Sequence, residues 1–351
     1  MSQFIQLHLL TSYPPSNLNR DDLGRPKTAK MGGFDRLRIS SQSLKRNWRV
    51  SELFESAMAA HIGTRTKRFG IDIFNALVEA NIAEKQAKEW AVSIAGVFGK
   101  NKKADKNKPM EDLEIEQLAH ISPTEKEAAL ALVAQLVEEN REPTKDELKL
   151  LKHQSTAVDI ALFGRMLASS PEFNTDAACQ VAHALSVHSV VVEDDYFTAV
   201  DDLNDGNTDS GSAHIGESGF AAALFYSNIN INKTQLIDNL NGDETLANRA
   251  IQALVEAAVK VSPKGKQNSF ASSAYASFAL AEKGEQQPRN LSVAFLRPVN
   301  DEDQISAAIQ VLQEQVTRFD DVYGKCADSR YHFDTNKGEG SVAELLEFVA
   351  S

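Results

Sequence analysis

Cysteine is nearly absent: Cys179 and Cys326 are the only two in 351 residues, and they form neither a CxxC pair nor a disulfide framework. Both are expected as reduced, buried thiols, and no redox chemistry is expected. No apolar run approaches the roughly 20 residues that span a bilayer. The opening MSQFIQLHLL lacks a charged n-region and a small-residue cleavage site, so no membrane role is expected and the expected location is the cytoplasm. Common catalytic signatures are missing too. GESG at 216–219 falls one residue short of GxSxG, and GSAHIG at 211–216 lacks the Lys-Ser/Thr of a P-loop. His183 and His188 stand five apart without the glutamate of HExxH. The paired acids Asp21-Asp22, Asp194-Asp195, Asp201-Asp202 and Asp320-Asp321 could offer oxygen to a divalent cation, but adjacent acids alternate faces in a strand and cap turns in loops. No metal, no cofactor and no enzymatic activity are expected.

What the chain does have is a polarised charge. The net charge is −12, yet residues 20–49 hold nine basic and three acidic residues, a local +6 that leaves −18 for the remainder. Such a segment is either a solvated basic surface or an anion site, and its concentration in one loop and one helix favours the anion site. In SSQSLKRNWR, positions 40–49, a helical period places Gln42, Lys45, Arg46 and Arg49 within an arc of about 100°, with Leu44 and Trp48 opposite. Ser40 or Ser41 can cap this helix, which is expected to continue through Leu53, Phe54 and Ala57.

Before it, FIQLHLL at 4–10 alternates Ile5, Leu7 and Leu9 with Gln6 and His8, the period of a half-buried strand. The following 25 or so residues are rich in Pro, Gly, Asn and Asp and read as a long functional loop, in which Gly32-Gly33 would let backbone approach a phosphate. From 59 to 181 the texture is helical, with Ile73, Leu77, Trp90, Ile94 and Phe98 as core candidates and capping boxes at Ser122–Glu125 and Thr144–Glu147. KNKKADKNK at 100–108 reads as a solvated linker. A helix is expected near 175–187, then a strand from 190 opening into a protruding hairpin, strands at 220–231 and 291–297, and helices at 303–318 and 341–350, the last opened by the box Ser341–Glu344. This order predicts an α+β domain interrupted by a helical insertion.

Single-stranded nucleic acid needs a basic track for its backbone and surfaces for its bases. Tyr196 and Phe197, Met166 and Ile215 are candidate base contacts, and SPKGKQNS at 262–269 supplies Lys264 and Lys266 for a backbone-contacting loop. Taken singly, the aromatic pair and Met166 read by default as core residues, and the lysine stretch reads equally as a plain surface turn.

LNRDD at 18–22, RISSQSLKR at 38–46, DIALFGRM at 159–166, YFTAVDDL at 196–203 and SAHIG occur together and in order. In this combination the chain resembles the CasC family, the repeated CRISPR RNA-binding backbone subunit of type I-E Cascade. The resemblance implies an RRM-like (ferredoxin-like) palm from residues 1–58 and 182–351, helical fingers from 59–181, and a β-hairpin thumb at about 193–219. It further implies that Arg20, Lys27, Gln42, Lys45, Arg46 and Arg49 grip the RNA backbone. Met166 and Ile215 would flank a displaced base, with Tyr196-Phe197 the aromatic pair of the thumb. Copies would line up head to tail along one guide, with other Cascade subunits as partners and target DNA engaged by pairing to the guide. The rival is a metal-dependent ribonuclease cutting target RNA through Asp21 or Asp22.

Overall fold

The computed structural model describes residues 2–105, 107–152, 156–199 and 214–351, with backbone alone at His214 and Ile215. In chain order the strands are β1 (Phe4–Ser16), β2 (Thr28–Met31), β3 (Phe34–Ile39), β4 (Thr64–Thr66), β5 (Ala119–Ile121), β6 (Cys179–Val181), β7 (Ala184–Ser186), β8 (Glu193–Ala199), β9 (His214–Asn232), β10 (Phe278–Gly284) and β11 (Ser329–Asp334). The helices are α1 (Ser41–Arg49), α2 (Glu52–Met58), α3 (Phe69–Glu79), α4 (Glu84–Ala95), α5 (Pro123–Glu139), α6 (Val158–Phe163), α7 (Lys233–Asn239), α8 (Glu244–Lys260), α9 (Gln267–Phe270), α10 (Gln304–Tyr323) and α11 (Val342–Ala350). They fall into two compact units. A sheet unit takes 1–54, 180–231 and 251–351, and a helical unit takes 55–179 and 232–250. Residues 232–250, assigned from sequence to the palm, therefore group with the helical unit.

The sheet unit is built on an antiparallel sheet in the order β11-β10-β1-β9-β7-β3-β2, with β6 and β8 also paired to β9. β1 is central, in register with β10 from Phe4↔Gly284 to Leu10↔Phe278. Its apolar residues Ile5, Leu7 and Leu9 are buried, but so are Gln6 and His8 on the other side, so β1 is covered on both faces rather than half-buried. On one face Leu10, Leu224, Phe278, Leu291, Phe295 and Leu312 form a core covered by α10 and the 291–295 turn.

The polar side chains of β1 enter a buried charged network. His8 Nδ1 lies 2.9 Å from the Tyr226 hydroxyl and Nε2 lies 3.2 Å from Glu282. Both Glu282 oxygens receive Arg289 (2.8 and 3.0 Å), and Arg330 Nε donates to one of them at 2.7 Å. Burial alone would raise the Glu282 carboxyl, but hydrogen bonds from His8 and Arg289 override it and hold the group at about 2. Burial keeps His8 below its usual value. Both shifts are downward, so the stability they contribute is complete above the unfolded-state values and is lost as pH falls. For Glu282, moving from 4.5 to about 2 corresponds to about 3 kcal/mol. The unfolding free energy is therefore expected to decline below pH ~6.5 as His8 charges, and more steeply between pH ~4.5 and ~2. Urea titrations across this range check it: Glu282→Gln should lose stability at pH 7 and flatten the acid limb. An unchanged limb would refute the assignment.

Several expectations change here. The long loop is shorter than its composition suggests, because β1 runs to Ser16 and a β2–β3 hairpin follows. Gly32 and Gly33 form its turn with φ of +61° and +87°, the left-handed pair a two-residue hairpin needs. A Cβ on Gly32 would run into the Leu296 carbonyl oxygen, so this glycine is needed by the fold itself. The stretch 175–187 forms β6 and β7 instead of a helix. Its alanines suit a helix, but pairing of β7 with β3 and β9 decides the outcome. The 291–297 segment is a 3₁₀ turn (Leu291–Phe295) rather than a strand: Asn290 caps it by accepting from Ser292 N at 2.8 Å, and Leu291 and Phe295 point into the core four residues apart. The basic helix ends at Arg49, before Ser51 caps α2 through Phe54 N (3.2 Å).

In the helical unit, Ile73, Leu77, Trp90, Ile94 and Phe98 are all buried in one cluster with Leu113 and Leu136. Ser122 opens α5 through a complete capping box with Glu125. Thr144 and Glu147 make the same reciprocal contacts, but around an isolated turn. Both cysteines are buried and outside any disulfide, and among the described residues no helix is long and apolar enough to cross a membrane.

Candidate nucleic-acid interface

Asn17 sets up the site. Fully buried, it donates from Nδ2 to the carbonyls of Gly24 and Gly219 at 2.9 Å each, pinning both ends of the 17–24 loop against β9. The loop is then closed by its own polar groups. Asp21 Oδ1 accepts from Leu23 N and Arg25 N (2.9 Å each), Lys27 N donates to the Asn19 carbonyl (2.8 Å), and Arg25 pairs with Asp194 on β8 at 2.9 Å. This is a fixed loop that carries Arg20 and Asp22 on its exposed side.

α1 follows from the same anchor. Ser40 caps it by accepting from Ser43 N, and Ser40 N in turn donates to Asn19 Oδ1 at 2.9 Å. Leu44 and Trp48 are buried, Gln42 and Arg46 are exposed, and Lys45 and Arg49 are half-buried, so the polarity expected around the helix is present. Ser43 and Asn47 lie on the strip between the basic and apolar faces. Asn47 Oδ1 accepts from Lys264 N at 3.3 Å, which brings the 262–266 loop to the helix. Gly265 permits the approach: a Cβ there would fall 2.2 Å from the Leu18 carbonyl oxygen.

These three segments enclose a polar basin of about 500 Å³, to which Arg20, Asp22, Ser43, Asn47, Lys264 and Gly265 all contribute. Arg20 and Lys264 are thus brought together across 244 positions of sequence. Ser43 and Asn47 were missed, since neither carries charge and only their position beside the basic arc signals them. Lys266 does not line the basin; its Nζ donates to Ser218 Oγ. Lys27 lies half-buried near His183, whose imidazole is held below its usual value by burial, Arg38 and Lys27. Not all of the +6 segment faces outward. Arg36 is fully buried, donating to the carbonyls of Ser186 (3.1 Å) and Phe295 (2.8 Å), so its charge belongs to the fold.

On the β8–β9 ribbon Tyr196 pairs with Glu217 and Phe197 with Gly216. Tyr196 is 66% and Phe197 44% exposed. A Cβ on Gly216 would meet the Phe197 ring at 2.4 Å, so the glycine lets the ring lie across β9. Ile215 pairs by backbone with Thr198, and its side chain lies outside the described residues, as do positions 200–213 of the expected thumb.

In the helical unit Met166 is 82% exposed, against its default reading as a core residue. It borders a cleft of about 210 Å³ with Phe98, Leu118 and Leu167. The preceding motif explains its position. Asp159, buried, accepts from His120 (2.7 Å) and Gly63 N (2.9 Å), while buried Arg165 clamps both oxygens of Glu125 at 2.7 and 2.9 Å. Gly164, at φ +79°, turns the chain between them. In the lysine-rich linker Lys100, Lys102 and Lys108 pair with Glu116, Glu114 and Glu111.

The basin and ribbon can hold a polyanion and offer aromatic faces beside it. Among the described residues no group of three or more His, Cys, Asp or Glu is placed to hold a metal ion. The family described as "CT1975-like protein" matches residues 5–347. A chain of a solved "CRISPR RNA-guided surveillance complex, pre-nicking" is 29% identical, with 99% of each chain covered and a TM-score of 0.84. A chain of a second "CRISPR RNA-guided surveillance complex" shares the fold at 24% identity, with 99% of each chain covered and a TM-score of 0.74. No curated protein matches.

Proposed function

The chain belongs to the CT1975-like protein family, and from that membership we propose that it is a non-catalytic CRISPR RNA-binding subunit of a Cascade surveillance complex, of the type I-E CasC kind. The sheet unit is its RRM-like palm, the helical unit its fingers, and the β8–β9 ribbon the root of its thumb. The observation that carries this reading is the convergence of the 17–24 loop, α1 and the 262–266 loop on one polar basin, with Arg20 and Lys264 on its walls. The likeness to a surveillance-complex chain over its full length supports the same reading.

A guide carrier must hold phosphate and ribose while leaving base edges free, because the spacer differs from one RNA to the next. Backbone contacts from the basin and α1 fit that requirement, and Tyr196, Phe197, Met166 and Ile215 supply the surfaces against which a base is displaced at intervals. Copies follow one another head to tail in a contact that does not close, which lets one small subunit cover a long guide. Target DNA is reached through the guide, with other Cascade subunits completing the complex in the cytoplasm.

The test is purification of the full chain with its guide. RNA of one discrete length should copurify. Incubation of that complex with complementary RNA and magnesium should leave the RNA intact. Periodic scission lost in Asp21→Ala or Asp22→Ala would establish the ribonuclease instead, and absence of any bound RNA would reject the subunit role.

A further inference from the structure

The basin contains more than a phosphate asks for. Phosphate oxygens only accept hydrogen bonds, and Arg20 and Lys264 are suited to them. Yet the lining also includes two carboxylates, Asp21 and Asp22, beside the neutral groups of Asn19, Ser43 and Asn47. A carboxylate facing a phosphodiester is repulsive unless something between them donates to it. Asp21 has a structural use, since its Oδ1 holds the amides of Leu23 and Arg25. Asn47 is also occupied, with Nδ2 donating to the Ser43 carbonyl at 2.8 Å and Oδ1 accepting from Lys264 N. Asp22 has no such work: it is exposed on the basin wall, and its carboxylate makes no hydrogen bond or ion pair among the described residues.

The ribose 2′-hydroxyl resolves this mixture. It donates as well as accepts, and it is the group that separates RNA from DNA at a given site. A carboxylate is a fitting acceptor for it, as at the ribose of dinucleotide folds. Resting on the RNA-binding reading above, we propose that Asp22 accepts a hydrogen bond from a ribose 2′-hydroxyl of the bound strand, so that the basin selects RNA over DNA. With a deoxyribose strand the carboxylate has no donor to meet and faces the phosphates directly. Its effect is therefore attractive for one sugar and repulsive for the other, while Arg20 and Lys264 serve both.

The experiment measures binding of the full chain to single strands of one sequence, as RNA and as DNA, in the presence of a chelator so that no metal bridges to the carboxylate. Wild type should prefer RNA by about tenfold, the scale of one hydrogen bond to a charged group. Asp22→Ala should bring the RNA-to-DNA ratio close to one, chiefly by tightening DNA binding. Asp22→Asn, which keeps an acceptor oxygen and removes the charge, should retain part of the preference. A parallel loss on both strands would mark Asp22 as merely structural and overturn the inference, as would equal wild-type affinity for the two sugars, which leaves RNA binding itself intact. Failure to bind either strand would overturn the RNA-binding reading and this inference with it.

Discussion

Arg165→Ala is expected to destabilise the helical unit by about 3–5 kcal/mol, the range for removing one partner of a buried ion pair. The Arg165 and Glu125 side chains are 2% and 0% exposed, and the guanidinium also donates to the Phe173 carbonyl at 3.1 Å. Its loss strands the Glu125 carboxylate in the interior, where among the described residues the amides of Ser122 (2.9 Å) and Lys152 (3.1 Å) are its remaining donors. Because Glu125 is also the third residue of the α5 capping box, the damage extends to the start of that helix. The double variant Glu125→Gln with Arg165→Met separates charge from cap. Glutamine can still accept from Ser122 N, methionine fills most of the arginine volume, and no buried charge remains, so the double should lose only about 1–2 kcal/mol. Thermal and denaturant unfolding of the three proteins decides it. A double as damaged as Arg165→Ala would show that the stranded charge is not the source of the loss. The consequence for function is local: Arg165 and Thr175 exchange backbone hydrogen bonds of 3.0 Å, and the next residue is exposed Met166, so loosening this bridge frees the segment that presents it.

The contrast between Arg165 and Met166 shows what sequence can reveal. DIALFGRM was legible as a motif, but its spacing does not say that Asp159 and Arg165 face inward to remote partners while Met166 faces out. Short-range signals fared better: β1, the arc of α1, and the caps at Ser122 and Ser341 depend on residues within four positions of one another. Long-range pairing overrode local preference elsewhere. FALAEKG at 278–284 was not recognised as a strand although it lies between β1 and β11, since a strand covered on both faces has no polar alternation to show. The same applies to the site. The basic arc could be counted off a helical wheel, whereas the basin required Gly265 to meet Leu18 and Asn47 to hold Lys264, contacts set by where the strands deliver their loops. Composition also misled in one respect, because Arg36 added to the local charge of a surface it does not reach.

Lys45→Ala with Arg49→Ala should weaken guide RNA binding about tenfold per bound copy near physiological salt, and equally for unrelated spacers. On a single strand each phosphate contact contributes roughly 0.7 to the slope of log affinity against log salt, so the double variant should flatten that slope by about 1.4. The helix itself should survive. Alanine is the best helix former, Leu44 and Trp48 keep their buried positions, and of the two cations only Arg49 is in the last turn, where its loss costs about 0.3–1 kcal/mol. Because the chain carries −12 overall, any lost cation makes it more acidic, so a general field effect has to be separated from a local contact. Arg318→Ala on α10 provides the comparison: it removes one cation from an exposed pair with Glu314 and should leave the salt slope nearly unchanged. If Arg318→Ala flattens the slope as much per charge as the α1 variant, the protein attracts RNA by its general field and the seam along α1 has no special part. If affinity falls for one spacer and not another, the contacts read bases, which a carrier of variable guides cannot do. A uniform loss confined to the α1 variant is the result that a backbone grip requires.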